Sequence, residues 1–102
     1  MEKTKLYIVN YVNSTELDGF KSFKENVSSN YLSKAVSDSM IILSSKSDLN
    51  AHSVFQKLTK GISNMDQNEL EIFVIEMSNF YGTLATSIWE WIESQTNTKY
   101  LE

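Results

Sequence analysis

The stretch Leu70-Glu71-Ile72-Phe73-Val74-Ile75-Glu76-Met77 decides the fold that we expect for this chain. It is rich in β-branched and aromatic residues and holds neither glycine nor proline, which predicts a strand near the centre of a sheet. Successive side chains of a strand point to opposite faces, so both faces of this one are apolar. One face carries Leu70, Ile72 and Val74, and the other carries Phe73, Ile75 and Met77. Such a strand has to be covered on both sides.

Hydrophobic periodicity along the rest of the chain predicts three more strands and three helices. The predicted strands are 6–12, 31–37, 40–44 and 70–77, and the predicted helices are 16–29, 48–62 and 80–94. This order indicates an α+β protein with a ferredoxin-like βαββαβ unit, a four-stranded antiparallel sheet and a C-terminal helix.

The length of 102 residues suits one domain with one core. We therefore expect a single ferredoxin-like domain over residues 1–102. Its core spans residues 5–78, its C-terminal helix spans residues 80–94, and a frayed tail covers residues 95–102.

The predicted topology leaves one face of the sheet open. Strands 6–12 and 70–77 become neighbours, and the helices at 16–29 and 48–62 cover a single face. The other face is expected to carry Tyr7, Val9 and Tyr11 beside Phe73, Ile75 and Met77, or the opposite set if the register is reversed. Either set is a larger aromatic patch than a soluble monomer normally exposes. The C-terminal helix, a second subunit in a homodimer, or a partner must cover it.

The composition excludes several kinds of chemistry. The chain has no cysteine, so it has no disulfide, thiol nucleophile or cysteine metal site. The N-terminal residues lead into a strand without a signal-peptide core, and no apolar run approaches the ~18 residues of a membrane span. These features predict a cytoplasmic protein that does not interact with membranes.

Charge is distributed unevenly along the chain. All nine basic residues are lysines; residues 1–60 carry eight of them against six acids, and residues 61–102 carry Lys99 against seven acids. Arginine dominates bidentate contacts to phosphate and guanine, so its absence argues against direct nucleic-acid binding. The acidic C-terminal part suits a protein partner with a basic surface, although the same charge would also serve solubility.

A family resemblance rests on the strand Leu6–Tyr11, on the strand Met40–Ser44 with the helix after Asp48, and on the run from Asp66 to Met77. In this order the chain resembles the small Cas2-like and SinR-like ferredoxin-fold proteins over residues 5–78. Nuclease members of that family carry an Asp just after the core of the first strand, where it helps to hold a metal ion. The corresponding stretch here is Tyr11-Val12-Asn13, without a carboxylate.

No residue pattern predicts catalysis, a metal site or a cofactor. His52 is the only histidine, and the sequence supplies neither a nucleophile nor an orienting group for it. The glycines Gly19, Gly61 and Gly82 are isolated and form no phosphate-binding loop.

Aromatic and acidic residues of the last strand and helix are the predicted partner-binding residues. Trp91 fits the apolar stripe of the last helix and is expected in the core or in a dimer contact, whereas Trp89 and Tyr81 are expected to be exposed anchors. Acids near them would form a negative rim, or would only keep these elements solvated. The predicted partner-binding set is Glu71, Glu76, Tyr81, Trp89, Glu90 and Glu93.

Two functions compete on this basis. The first is a non-catalytic interaction protein that resembles phage-encoded inhibitors of the anti-CRISPR or antitoxin type and binds a basic Cas effector or toxin. A host regulatory module is indistinguishable from it by sequence. The alternative is a Cas2-like, metal-dependent endoribonuclease or endonuclease that uses Glu16 or Asp18 in place of the missing strand-end Asp.

Overall fold

A single antiparallel sheet with helices on both sides forms the protein, as the computed structural model shows for residues 4–13, 16–48, 50–78, 80 and 82–96. The mixed α+β class and the four-stranded antiparallel sheet are thereby confirmed. The elements are β1 (Lys5–Asn10), α1 (Phe20–Asn30), β2 (Leu32–Ser37), β3 (Met40–Ser45), α2 (Ala51–Leu58), α3 (Asn64–Leu70), β4 (Phe73–Glu76) and α4 (Thr86–Thr96).

The strands lie in the order β2-β3-β1-β4, and every neighbouring pair is antiparallel. β1 is therefore an inner strand that pairs with β3 on one side and β4 on the other, as the sequence predicted for its contact with β4. β2 and β4 lie at the two edges of the sheet.

The prediction of a central strand over residues 70–77 is wrong in length and in place. β4 has only four residues and lies at the edge of the sheet. The preceding residues form α3, because the Ser63 hydroxyl accepts a hydrogen bond from the Asp66 N–H at 3.1 Å and caps the helix. Leu70 is fully buried at the end of α3, and Glu71 ends that helix with a left-handed backbone, φ 49°.

Helices α1 and α2 cover one face of the sheet, called the first face below. Tyr7 and Val9 of β1, with Tyr11 just after it, belong to this face and pack with buried residues of both helices, such as Phe23 and Val54. Coverage of one face by the first two helices is therefore observed as predicted.

The expected grouping of Tyr7, Val9 and Tyr11 with Phe73, Ile75 and Met77 is wrong. The register pairs Val9 with Val74 and Ile8 with Ile75, and residues opposite each other point to the same face. The side chains of Phe73, Ile75 and Met77 thus lie on the second face, with Leu6 and Ile8 of β1. The opposite set, expected if the register is reversed, is wrong too. It would place Leu6 and Ile8 on one face with Val74, whereas the observed register places Val74 on the face of Val9.

The helices are shorter than periodicity predicted. Asn50 caps α2 by accepting a hydrogen bond from the Ser53 N–H at 3.0 Å, so the helix starts at Ala51 and not at the predicted residue 48. α1 starts after Gly19, where the Cβ of any other residue would lie 2.9 Å from Ile62 Cγ2. The start of α1 therefore sits close against the loop before α3.

None of the helices formed by the described residues has the length and apolar character needed to cross a membrane.

Candidate functional site

Helix α4 covers part of the second face. Ile88, Trp89 and Ile92 are buried there against Leu6 of β1 and Ile42 of β3. Half-buried side chains from β2 and from the segment before α4 complete this cluster, among them Val36, Phe80 and Leu84. The predicted need for a cover on this face is thus met, in part, by the chain itself.

The β4 end of the second face stays exposed. Phe73 and Ile75 are large apolar side chains, yet they are 61% and 42% exposed. Their neighbour Val74 points to the first face, where it packs against the main core. β4 therefore holds its place through one face and presents two apolar side chains to solvent on the other.

The outer edge of β4 also presents unpaired backbone groups. In an antiparallel pair, residues alternate between facing the partner strand and facing away from it. The Met77 N–H donates to the Leu6 carbonyl oxygen at 2.8 Å. By the alternation of the ladder, the backbone N–H and C=O groups of Ile75 and Phe73 also point towards β1. The N–H and C=O groups of Val74 and Glu76 consequently point outward, and no other strand of the described chain lies beyond them. We call the Phe73 and Ile75 side chains with these outward groups the β4 surface.

The surroundings of the β4 surface are acidic. From Gly61 to Thr96, which spans α3, β4 and α4, the chain carries six acids and no lysine or arginine. Glu71 and Glu76 are exposed at the two ends of β4. Glu76 is shared between neighbours, since its Oε1 lies 3.5 Å from Lys5 Nζ and 3.5 Å from the Tyr7 hydroxyl.

An apolar cavity adjoins the β4 surface. Its volume is about 180 Å³, and it lies between the second face of the sheet and the segment that leads into α4. Ile8, which is opposite Ile75 in the register, and Met77 belong to its wall, as do Phe80 and Trp89. The cavity therefore lies on the same face of the sheet as the exposed side chains of β4.

The predicted partner-binding residues do not form one patch around an aromatic anchor. Trp89 is only 9% exposed and stacks on Phe80 at 6.2 Å between ring centroids, so its predicted role as an exposed anchor is wrong. Trp91, predicted in the core or in a dimer contact, is half-buried at the edge of the same cluster.

The predicted acids lie on several sides of the fold. Glu71 ends α3, and the Glu76 side chain points to the first face with Tyr7. Glu90 is exposed and Glu93 half-buried on α4, at the second face. Tyr81 lies outside the described residues. Sequence reasoning placed Phe73 and Ile75 in a sheet-face contact but not at an exposed edge, because nothing local shows that β4 has only one neighbour.

A second cluster surrounds Asp48, in the loop between β3 and α2. Its carboxylate is almost completely buried, with 1% of the side chain exposed. The carboxylate oxygens accept hydrogen bonds from Tyr31 Oη at 2.9 Å, Ser45 Oγ at 2.8 Å and Ser53 Oγ at 3.1 Å, and Lys57 Nζ lies 3.0 Å away. Both oxygens are thus occupied by protein donors, which suits a structural role better than metal binding.

This cluster shifts three pKa values. Burial would raise the pKa of Asp48, but the hydrogen bonds that it accepts, Ser45 and Lys57 first among them, outweigh burial and hold it below 3.8. Burial, together with the negative charge of Glu76, raises the pKa of Tyr7 to about 12. Burial and the hydrogen bond to Asp48 also raise the pKa of Tyr31.

These shifts predict the pH dependence of stability. The pKa of Asp48 is lower in the folded chain, so its contribution is complete above pH 3.8 and is lost as the pH falls below that value. The pKa of Tyr7 is higher in the folded chain, so its contribution is present below pH 10.0 and is lost as the pH rises towards about 12. Urea midpoints measured across pH should fall in both windows.

Two variants test this assignment. In Asp48→Asn the urea midpoint should fall less at acid pH than in wild type. In Tyr7→Phe it should fall less at alkaline pH. An unchanged fall at acid pH in Asp48→Asn would show that other carboxylates control acid unfolding.

The carboxylates proposed for metal-dependent cleavage lie elsewhere. Glu16 and Asp18 are exposed in the turn before α1, in a shallow depression that also holds Lys21 and Lys24. Within the part of the chain that the structure describes, no three His, Cys, Asp or Glu side chains come together to hold a metal ion.

Comparison with known proteins gave no match, whether to a family model, to a curated protein or to a solved structure. The resemblance to Cas2-like and SinR-like proteins therefore stays a prediction. The β4 surface is the feature on which a functional proposal rests.

Proposed function

We propose that this protein is a non-catalytic interaction module that binds a protein partner with a basic surface through the β4 surface. In this role it inhibits a nucleic-acid-handling bacterial effector in the cytoplasm, in the manner of an anti-CRISPR protein or an antitoxin. The carrying observation is the exposure of Phe73 and Ile75, side by side on an edge strand.

Exposed apolar pairs of this kind support binding for an energetic reason. Burying a Phe or Ile side chain contributes about 1.5–3 kcal/mol, and aromatic side chains dominate the energetics of interfaces. Val74, together with Ile72 just before the strand, packs β4 against the first-face core, where Phe73 and Ile75 do not take part.

Charge supports the choice of partner. Between Gly61 and Thr96 the chain carries acids and no lysine or arginine, so α3, β4 and α4 bring only negative side-chain charges. Complementary charge steers association and selects among partners, so a basic protein surface fits. The effectors that handle nucleic acids carry such surfaces because they bind phosphate.

We further propose that the fold is ferredoxin-like. The strand order β2-β3-β1-β4, with α1 and α2 on one face, supports this classification. α3 is then an insertion before β4, and α4 is an addition on the second face.

Inhibition of an effector provides the test. Purified RNA-guided nucleases and toxin ribonucleases from the host bacterium are mixed with the protein, and cleavage of labelled nucleic acid is measured. We expect wild type to block one of them and Phe73→Ser/Ile75→Ser to lose at least about tenfold in apparent affinity, since two hot-spot side chains are removed.

Matched controls come from apolar residues exposed elsewhere. Leu32 on the opposite edge strand is 67% exposed and Met65 on α3 is 70% exposed. Leu32→Ser and Met65→Ser should inhibit like wild type. Equal inhibition by the Phe73/Ile75 variant would refute the surface. Cleavage of labelled RNA by the protein alone with Mg²⁺ or Mn²⁺, lost in Glu16→Gln/Asp18→Asn, would establish the nuclease alternative instead.

A further inference from the structure

We infer that the partner docks by adding an extended segment, antiparallel, to the outer edge of β4, and that this segment alternates apolar and basic residues. The inference rests on the proposed function and specifies its binding mode. Strand addition uses backbone hydrogen bonds for affinity and alternate side chains for specificity.

The backbone of β4 is ready for such pairing. The outward N–H and C=O groups of Val74 and Glu76 can form hydrogen bonds with one further strand, continuing the sheet order beyond β4. β4 contains no proline, lysine or bulge, which are the features that commonly protect edge strands.

The other edge of the sheet has two of these protective features. β2 carries Lys34 near its middle, and its pairing with β3 shifts register between Ala35 and Ser37. A charge and an irregularity protect an edge from further pairing. The comparison favours β4 as the docking edge.

The residues on the two faces of β4 determine which side chains the added segment needs on each face. On the second face its residues would lie beside Phe73 and Ile75, which are exposed and apolar. On the first face they would lie beside Val74 and Glu76, and the Glu76 side chain is 38% exposed. A segment with apolar residues on the second face and lysine or arginine on the first face therefore complements both faces of β4.

A synthetic peptide tests the inference with the full-length protein. The probe is an acetylated heptapeptide in which lysine and valine alternate, titrated while the amide resonances of Val74 and Glu76 are followed. In antiparallel pairing the residues opposite Val74 and Glu76 are the lysines, and their N–H groups point at β4. N-methylation of the lysines should therefore weaken binding at least about tenfold, whereas N-methylation of the valines should leave it unchanged.

Protein variants supply the second arm. Glu76→Lys should weaken the peptide severalfold, and a glutamate/valine peptide should bind wild type as poorly. Leu32→Ser should bind like wild type. Equal binding of both N-methylated peptides, a preference for the β2 edge, or a homodimer in sedimentation that the peptide cannot dissociate would each overturn strand addition at β4.

The two proposals fail separately. If no peptide binds but Phe73→Ser/Ile75→Ser still abolishes inhibition of the effector, strand addition is wrong and the interaction surface stands. If the peptide binds as expected and no effector is inhibited, the edge is confirmed as a docking site and the inhibitory function is wrong.

Discussion

Replacing Asp48 with alanine is expected to lower the free energy of unfolding by about 3–5 kcal/mol, because a buried charged network loses its central acceptor. The carboxylate organises the β3–α2 loop by accepting from Tyr31 and Ser45, which belong to or flank different strands. Without it these buried donors have no acceptor, and each unsatisfied group costs about 1–3 kcal/mol. The total is a large fraction of the about 5–15 kcal/mol that stabilises a domain.

The measurement is urea unfolding followed by far-ultraviolet circular dichroism. Lys57→Ala is the matched control, because its ammonium group contacts the same carboxylate from a side chain that is 43% exposed. It should cost only about 1–2 kcal/mol, since solvent replaces part of the interaction. A loss below about 1 kcal/mol in Asp48→Ala would contradict the central role of this carboxylate.

Replacing Trp89 with alanine should cost about 3–5 kcal/mol and should detach α4 from the second face. The ring is buried between Phe80 and the sheet, and it lines the cavity. Removing it enlarges a space that is already about 180 Å³, so the neighbours have little left to pack against.

Trp91→Ala serves as the comparison on the same helix. Trp91 is half-buried, so its loss should cost about 1–2 kcal/mol, in proportion to the smaller apolar area involved. Urea midpoints give the two costs, and hydrogen exchange of α4 amides shows whether the helix has detached. A greater cost for Trp91→Ala would mean that the packing of α4 is different from that described.

The local hydrophobic pattern was enough to predict the strands and helices that form the first face and its cover. The strand at β1, the hairpin of β2 and β3 and the stripes of α1 and α2 each follow from periodicity within a few residues. Their assembly into an antiparallel sheet follows from connection rules, because short links leave few topologies.

The predictions that were wrong concern features that depend on contacts between residues far apart in the chain. Trp89 and Trp91 are two positions apart on one helix, and only the direction from which α4 approaches the sheet decides which is buried. The edge position of β4 likewise depends on β1 having β3 as its other neighbour. The polar run before Leu70 resembles a linker until Ser63 is known to cap it.

The Asp48 cluster could not be predicted from the sequence, because its residues are also far apart in the chain. Asp48 and Ser53 are close in sequence and suggest a helix cap, but Tyr7 and Tyr31 come from β1 and the residue before β2. No spacing rule connects them. Only the folded sheet brings their hydroxyl groups to one loop.

The inner position of β1 has a consequence for synthesis on the ribosome. β1 is made before both of its neighbours, because β3 and β4 come later in the chain. At about 5–20 residues per second, the growing chain carries β1 with two unpaired edges until β3 is made, and with one unpaired edge for some seconds more until β4 follows. β1 is thus the strand that waits longest for its second neighbour, and completion of β4 is the event that ends its exposure.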